Sequence, residues 1–213
     1  MVDHGAASGM TRIPVAERRT QLLAAAWRVL LAEGVAGATT RAICEEADMP
    51  QGVFHYCFDS RAELLAELVG GMLPREVSAA LATVNRRGSA AGAVERALLA
   101  YWELVEADPQ AQQVIYEITV TSLRDPVLAE LTRQRYAGYP AGIARVLDEL
   151  AQVRGFQWDR PVRVLARQVI ALLDGLTVQF LVDRDAATAR AALAAFATDL
   201  SLRTTPATEP SQL

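Results

Sequence analysis

The chain contains no lysine: all 21 of its basic residues are arginine, a bias that with the heavy use of alanine reflects a GC-rich genome more than any chemistry. Cysteine is scarce as well. Cys44 and Cys57 have no second pair nearby, so neither a disulfide framework nor a structural zinc site is supported, and buried thiols are the expected state. His55 and Cys57 are two ligands without a third and fourth, which make a poor metal site. Strand-like runs are missing, and aromatic residues form only 6% of the chain. No apolar run is long and charge-free enough to cross a bilayer, and the opening MVDHGAASGM has no hydrophobic signal region. A cytoplasmic location without membrane contact is therefore expected. The net charge of -4 excludes a generally basic nucleic-acid coat, and even residues 11–65 carry six arginines against seven acidic groups. There is no nucleophile beside a base, no metal set and no phosphate loop at usable spacing, so neither catalysis nor a cofactor is expected.

What is present is apolar and helical in rhythm. The apolar fraction is 52%, and Ala/Leu/Arg/Glu runs at helical period indicate an all-α protein. Its 213 residues allow one small domain plus a body with its own core. The organising stretch is residues 39–61, TTRAICEEADMPQGVFHYCFDSR. Thr39 and Thr40 offer hydroxyl acceptors to the first amides of a short helix at 40–47, on which Ile43, Cys44 and Ala47 share a face. Asp48, Met49 and Pro50 break it, because Asp tolerates a left-handed backbone and Pro suits the first turn of a helix. A second short helix at 51–57 turns Val53 and Cys57 inward with Phe54 and Phe58 beside them. Gln51, Gly52, His55 and Tyr56 are left facing outward. Ser60 and Glu63 then form a Ser-x-x-Glu capping box. Two short helices with a turn of about three residues are a helix-turn-helix, and residues 14–33, striped with Leu22, Leu23, Ala26 and Leu30 and ended by Gly34, supply its floor.

The spacing of Gly34, Thr39-Thr40, Ile43-Cys44, Ala47-Asp48-Met49-Pro50, Gly52, Phe54-His55, Tyr56, Phe58, Ser60-Arg61 and Leu64 resembles the TetR family of bacterial transcriptional regulators. Asp48 stands where the family usually has Gly, Pro50 where it has Ser, and His55 where Tyr is commonest. The resemblance implies double-stranded DNA as partner. Thr40 and Tyr56 resemble phosphate-contacting positions, and Gln51, Gly52, Val53 and His55 lie where the family reads bases. Arg41 and Arg61 would flank the reading helix as phosphate contacts; each taken alone reads as readily as a solvated charge. Residues 1–13 read as a flexible arm, from which Arg12, with Arg18 and Arg19, would reach a minor groove if it is not simply a solvated leader.

The expected organisation is an arm at 1–13, a three-helix DNA-binding domain at 14–60, a helical effector-binding and dimerisation domain at 61–203, and a polar tail at 204–213. Gly70, Gly71 and Pro74 predict a break near Met72, a joint between reading head and body. One long helix is expected from 126 to about 153, kinked near its middle and closed by Gly155. The helix predicted at 160–182 is apolar nearly all round, which requires its own core on one side and a second subunit on the other. With 186–202 it implies a two-fold homodimer through a four-helix bundle, as in the resembled family, and such a dimer reads an inverted repeat. Trp102, Tyr116, Glu117, Tyr136, Tyr139, Trp158 and Gln179 are the candidates for a mixed apolar and hydrogen-bonding pocket for an unidentified small-molecule effector, ordinary core packing being the competing reading of each. The Leu173-Asp174-Gly175-Leu176 run with Gln179 resembles the choline-repressor-like C-terminal domains without identifying a ligand. A repressor released from its operator by the effector is the expected function; the rival is a helical interaction module that does not use its helix-turn-helix.

Overall fold

The computed structural model describes residues 14–71, 73–85 and 87–206, and the side chains of all of these except Leu73, Arg135 and Tyr136. The expected arm with Arg12, the residue at the centre of the expected break, the Tyr136 side chain and the tail beyond Pro206 lie outside the described residues. The chain divides into two compact units at Leu64 and Leu65.

In the first unit, α1 (Val15–Gly37) buries Leu22, Ala25, Ala26, Val29 and Leu30, a stripe at three- and four-residue spacing. Gly34 has φ 70° and ψ -174°, a conformation open essentially to glycine alone. The regular helix therefore stops at Glu33, as the sequence predicts, and one further turn leads to α2 (Thr40–Glu46). Thr39 caps α2, its hydroxyl oxygen accepting from the Ala42 amide at 3.1 Å. Asp48 then takes φ 53°. The left-handed turn that Gly would enter without strain is entered here by the residue type next best suited to it. Pro50 precedes α3 (Gln51–Cys57). Ile43, Cys44, Phe54, Cys57 and Phe58 are buried, with the Phe54 and Phe58 rings 5.6 Å apart. Both thiols are free and buried, and desolvation raises that of Cys44. Ser60 Oγ accepts from the Glu63 amide at 3.1 Å, opening α4 (Arg61–Gly70). The reciprocal bond of the capping box falls one residue early, from the Asp59 amide to Glu63 Oε2 at 2.8 Å.

The second unit begins within α4 and continues through α5 (Leu73–Val84), α6 (Ala90–Ala107), α7 (Pro109–Ser122), α8 (Pro126–Tyr136), α9 (Gly138–Arg154), α10 (Val162–Asp183) and α11 (Ala186–Ser201). The break after Gly70 lies where the glycines and Pro74 predict it. Asp108 and Asp125 cap α7 and α8 with Pro in the first turn, and Ser89 and Asp185 cap α6 and α11. The single kinked helix expected across 126–153 is two helices parted at Ala137, and Gly155 ends α9 in a left-handed conformation, φ 69°.

Two further expectations are corrected. A short antiparallel pair joins β1 (Phe156–Trp158) to β2 (Thr204–Pro206), so the start of the supposed polar tail is held by backbone pairing that three-residue strands barely announce in sequence. Also, α10 is 22 residues long with mean hydropathy 1.5 over its most apolar window, enough by length and composition to cross a membrane. It serves as a core helix, burying Leu165, Ala166, Val169, Ile170, Leu173, Thr177 and Phe180. The core of this unit gathers α5, α6, α9, α10 and α11 around Trp102, whose ring meets Phe180 edge-on at 5.3 Å.

Candidate nucleic-acid interface and ligand cavity

The reading helix α3 is held from behind. Arg19 of α1 donates to the Cys57 carbonyl and to Glu63 Oε1, the latter at 2.7 Å, and lies 4.0 Å from the Phe58 ring centroid. Phe54, Cys57 and Phe58 face this support, which leaves Gln51, Gly52, His55 and Tyr56 exposed, Tyr56 to 63%. Val53 is half-buried. Thr40, the first residue of α2, is half-buried too, and the cap bond is made by Thr39. A Cβ at Gly52 would meet nothing within 4 Å. Helix packing does not require glycine there, and glycine in a helix costs about 1 kcal/mol against alanine.

The two expected phosphate contacts differ in standing. Arg41 is exposed, and its 2.7 Å pair with Glu45 joins two largely solvated side chains one turn apart. A pair so exposed is screened by solvent and weak, so a phosphate can displace it. Arg61 is half-buried; its Nε donates to the Ala38 carbonyl at 2.5 Å and its terminal nitrogen to the Val35 carbonyl. These bonds tie the start of α4 to the turn after Gly34. The side chain that spacing offered as a phosphate ligand is engaged with the domain's own backbone.

Within the second unit lies a cavity with about 60 Å³ open to water-sized molecules, walled by α5, α6, α9, α10 and the end of α11. The wall is mostly aliphatic: Val94, Leu98, Ile143, Val146, Val169 and Leu173 are typical. Its polar members are Glu76, Asp174, Tyr101 and Tyr139. Glu76 is 9% exposed, and burial pushes its carboxyl from an ordinary 4.5 to about 7; a Tyr139 hydrogen bond opposes the rise and the neighbouring Asp174 charge adds to it. Burial also raises Asp174, whose Oδ1 accepts from the Tyr116 hydroxyl at 3.0 Å. Tyr101 and Thr177 share a hydroxyl contact of 3.4 Å. A wider outer groove, lined by Thr119, Leu123, Arg133, Arg167 and others, shares Tyr139 and Ile170 with the cavity wall.

Of the seven effector candidates read from sequence, Tyr139 lines the cavity, and Tyr116 supports it through Asp174. Trp102 is fully buried with its indole N–H on Glu106 Oε1 at 2.6 Å, and Glu106 is ion-paired with Arg190. Trp158 is half-buried, donating to the Leu147 carbonyl at 3.1 Å. Glu117 is half-buried off the wall, and Gln179 is exposed on α10. Sequence reading missed Glu76, Asp174 and Tyr101. For Asp174 a signal was available, since it is the one charged residue between Arg167 and Asp183; the burial of Glu76 beside Ala80 and Val84 on α5 shows only in the fold.

A second face of α10 is exposed and apolar. Val164 (40%), Val178 (47%) and Val182 (83%) recur at helical spacing, with Ala171 and Gly175 between them, and Leu202 at the end of α11 is 79% exposed. A Cβ at Gly175 would meet nothing within 4 Å.

Residues 22–68 match the family described as bacterial regulatory proteins, tetR family, and residues 90–202 match the BetI-type transcriptional repressor C-terminal family. The HTH-type nicotine-responsive transcriptional repressor HdnoR of Paenarthrobacter nicotinovorans is 27% identical over 172 residues, 81% of this chain and 88% of the relative. The HTH-type transcriptional regulator PksA of Bacillus subtilis (strain 168) is 42% identical over 50 residues, 24% of each chain. Among solved structures, a transcriptional regulator from Pseudomonas aeruginosa PAO1 aligns with TM-score 0.71 at 22% identity, covering 92% of this chain and 95% of that one. The multidrug binding protein EbrR, solved with imidazole, aligns with TM-score 0.65 at 26% identity, covering 91% and 99%.

Proposed function

The chain belongs to the TetR family of bacterial transcriptional regulators and is a DNA-binding regulator, and from that premise we propose that it is a cytoplasmic homodimeric repressor released from an inverted-repeat operator by a small-molecule effector. The observation that carries the reading is the exposed face of α3, where Gln51, Gly52, His55 and Tyr56 point away from a helix locked by Arg19, Phe54 and Phe58. In this reading Gln51, Gly52, Val53 and His55 meet base edges in the major groove. Thr40, Arg41 and Tyr56 meet phosphates, and Arg61 fixes the helix that follows.

The exposed row on α10, with Leu202, supports pairing of two copies through α10 and α11, since apolar side chains so exposed are stabilised by a partner surface. A two-fold pair presents two copies of α3 to successive major grooves on one face of the duplex, which makes the operator a near-palindrome. The effector occupies the cavity between α5 and α10. It acts on α5, the first helix after the glycine break, and so changes the separation of the two reading heads. Its effect on DNA affinity equals its differential affinity for the two states, by linkage.

The test is selection from a random DNA pool with the purified protein at near-physiological salt. Enrichment of an inverted repeat is expected; absence of any enriched sequence from folded, dimeric protein would contradict the proposal and favour an interaction module.

A further inference from the structure

The cavity described above holds an arrangement that packing alone does not account for. Two carboxylates, Glu76 from the first turn of α5 and Asp174 from the middle of α10, line one small space whose other walls are aliphatic or tyrosine. Among the described residues that line it there is no arginine and no histidine, and the chain has no lysine. Arg133 and Arg167 belong to the outer groove, and Arg133 is paired with Glu130. The polar groups known to meet the two acids are tyrosine hydroxyls, Tyr139 at Glu76 and Tyr116 at Asp174. Hydroxyls satisfy lone pairs without neutralising charge. Two like charges in a space of low polarity repel, and a proton held between them or a positive charge brought to them relieves that repulsion.

Resting on the effector-release reading, we propose that the effector is a small apolar organic cation, with its cationic nitrogen seated between Glu76 and Asp174 and its hydrocarbon body against Val94, Leu98, Val146 and Leu173. A cation replaces the repulsion with two attractions in a region where each is screened far less than in water. The tyrosine rings of Tyr101 and Tyr139, both on the wall, present the aromatic surface that cationic nitrogens favour. A neutral ligand of equal size gains the apolar contact alone, and an anion adds a third negative charge. The geometry also gives the ligand a lever. Glu76 lies just beyond the Gly70–Gly71 break, so drawing it towards Asp174 acts on α5 at its first turn, the end joined to the DNA-binding unit by the chain.

Proton balance follows. The carboxyl at about 7 is partly protonated at neutral pH, and a bound cation favours its ionised form, so binding releases a proton to solvent. Affinity then strengthens as pH rises through about 7 and levels off above it.

The experiment is calorimetric titration of the full-length protein, without DNA, with benzylammonium, benzyltrimethylammonium, benzyl alcohol and benzoate, repeated on Glu76→Gln and Asp174→Asn. Both cations should bind at least on the order of tenfold tighter than benzyl alcohol, benzoate should bind most weakly, and either substitution should remove most of the preference while leaving benzyl alcohol little changed. Benzylammonium much tighter than the quaternary ion would assign a hydrogen-bonded protonated amine; similar affinities would assign charge and shape alone. Equal binding of benzyl alcohol, preference for benzoate, or no cation binding at millimolar concentration would overturn the proposal. Operator release is measured separately by fluorescence anisotropy. Cation binding that leaves DNA affinity unchanged would keep the ligand class and refute the release reading, whereas release by ligands other than cations, with no cation binding, would do the reverse.

Discussion

Replacing Glu76 by Gln removes the ionisable group while keeping an acceptor for Tyr139 and nearly the same volume in the cavity wall. The wild-type carboxyl is displaced from 4.5 to about 7, chiefly by burial. At about 1.4 kcal/mol for each tenfold step, ionising it in the folded protein rather than the unfolded chain costs about 3 kcal/mol. Because the folded-state value is the higher one, the proton's stabilising contribution is fully present below pH 4.5 and is lost as pH rises through about 7. Glu76→Gln never meets that loss. Urea unfolding of both proteins at matched protomer concentration, from pH 5 to pH 8.5, should therefore show the variant gaining on wild type by about 2–3 kcal/mol across the range. Asp174 stays ionisable in both proteins, and its repulsion of Glu76 is part of the rise that the substitution removes. A stability gap that stays flat with pH would refute the claim that this carboxyl is buried without a countercharge.

Val178→Asp places an unpaired carboxylate on the exposed row of α10 and should convert the dimer to monomer in sedimentation, with loss of operator binding and little change in helix content. Gly52→Ala should leave the fold intact or stabilise it by about 0.5–1 kcal/mol, yet weaken operator binding, because the proposed docking brings the duplex to the open space above Gly52; unchanged affinity would show that DNA does not come close there. Arg41→Ala should lower affinity alike on all sequences and flatten the log–log salt dependence by about one unit. Arg61→Ala should instead appear in the unfolding midpoint, destabilising the first unit by about 1–3 kcal/mol through the Ala38 and Val35 carbonyls it leaves without their donor.

The DNA-binding unit was largely legible in the sequence because its determinants are local. Gly34, Thr39, Asp48, Pro50 and Ser60 each act within a few residues through a backbone conformation or a cap, and all occupy the turns and caps that their chemistry predicts. What spacing could not show was the partner of Arg61, since the Val35 and Ala38 carbonyls are brought to it by tertiary packing. The same limit governs the cavity. Trp102 and Trp158 looked like ligand contacts by residue type, but indoles are large, and here the core takes the ring while one acceptor takes the N–H. Glu76 and Asp174 lie 98 positions apart and meet only because α5 and α10 form walls of one space. The strand pair β1–β2 is invisible for a related reason: three residues set no period, and their pairing depends on where α11 ends.

The central claim is that two copies of α3, held by one dimer, read two halves of one site. The most direct measurement is an anisotropy titration at fixed salt of the selected operator, of the same DNA with one half-site scrambled, and of DNA with both scrambled. Each mismatched base pair in a half read by α3 should cost about 1–3 kcal/mol, so scrambling one half should lower affinity severely and scrambling both should reduce binding to the salt-dependent background. Equal affinity for the intact and half-scrambled sites would contradict the account.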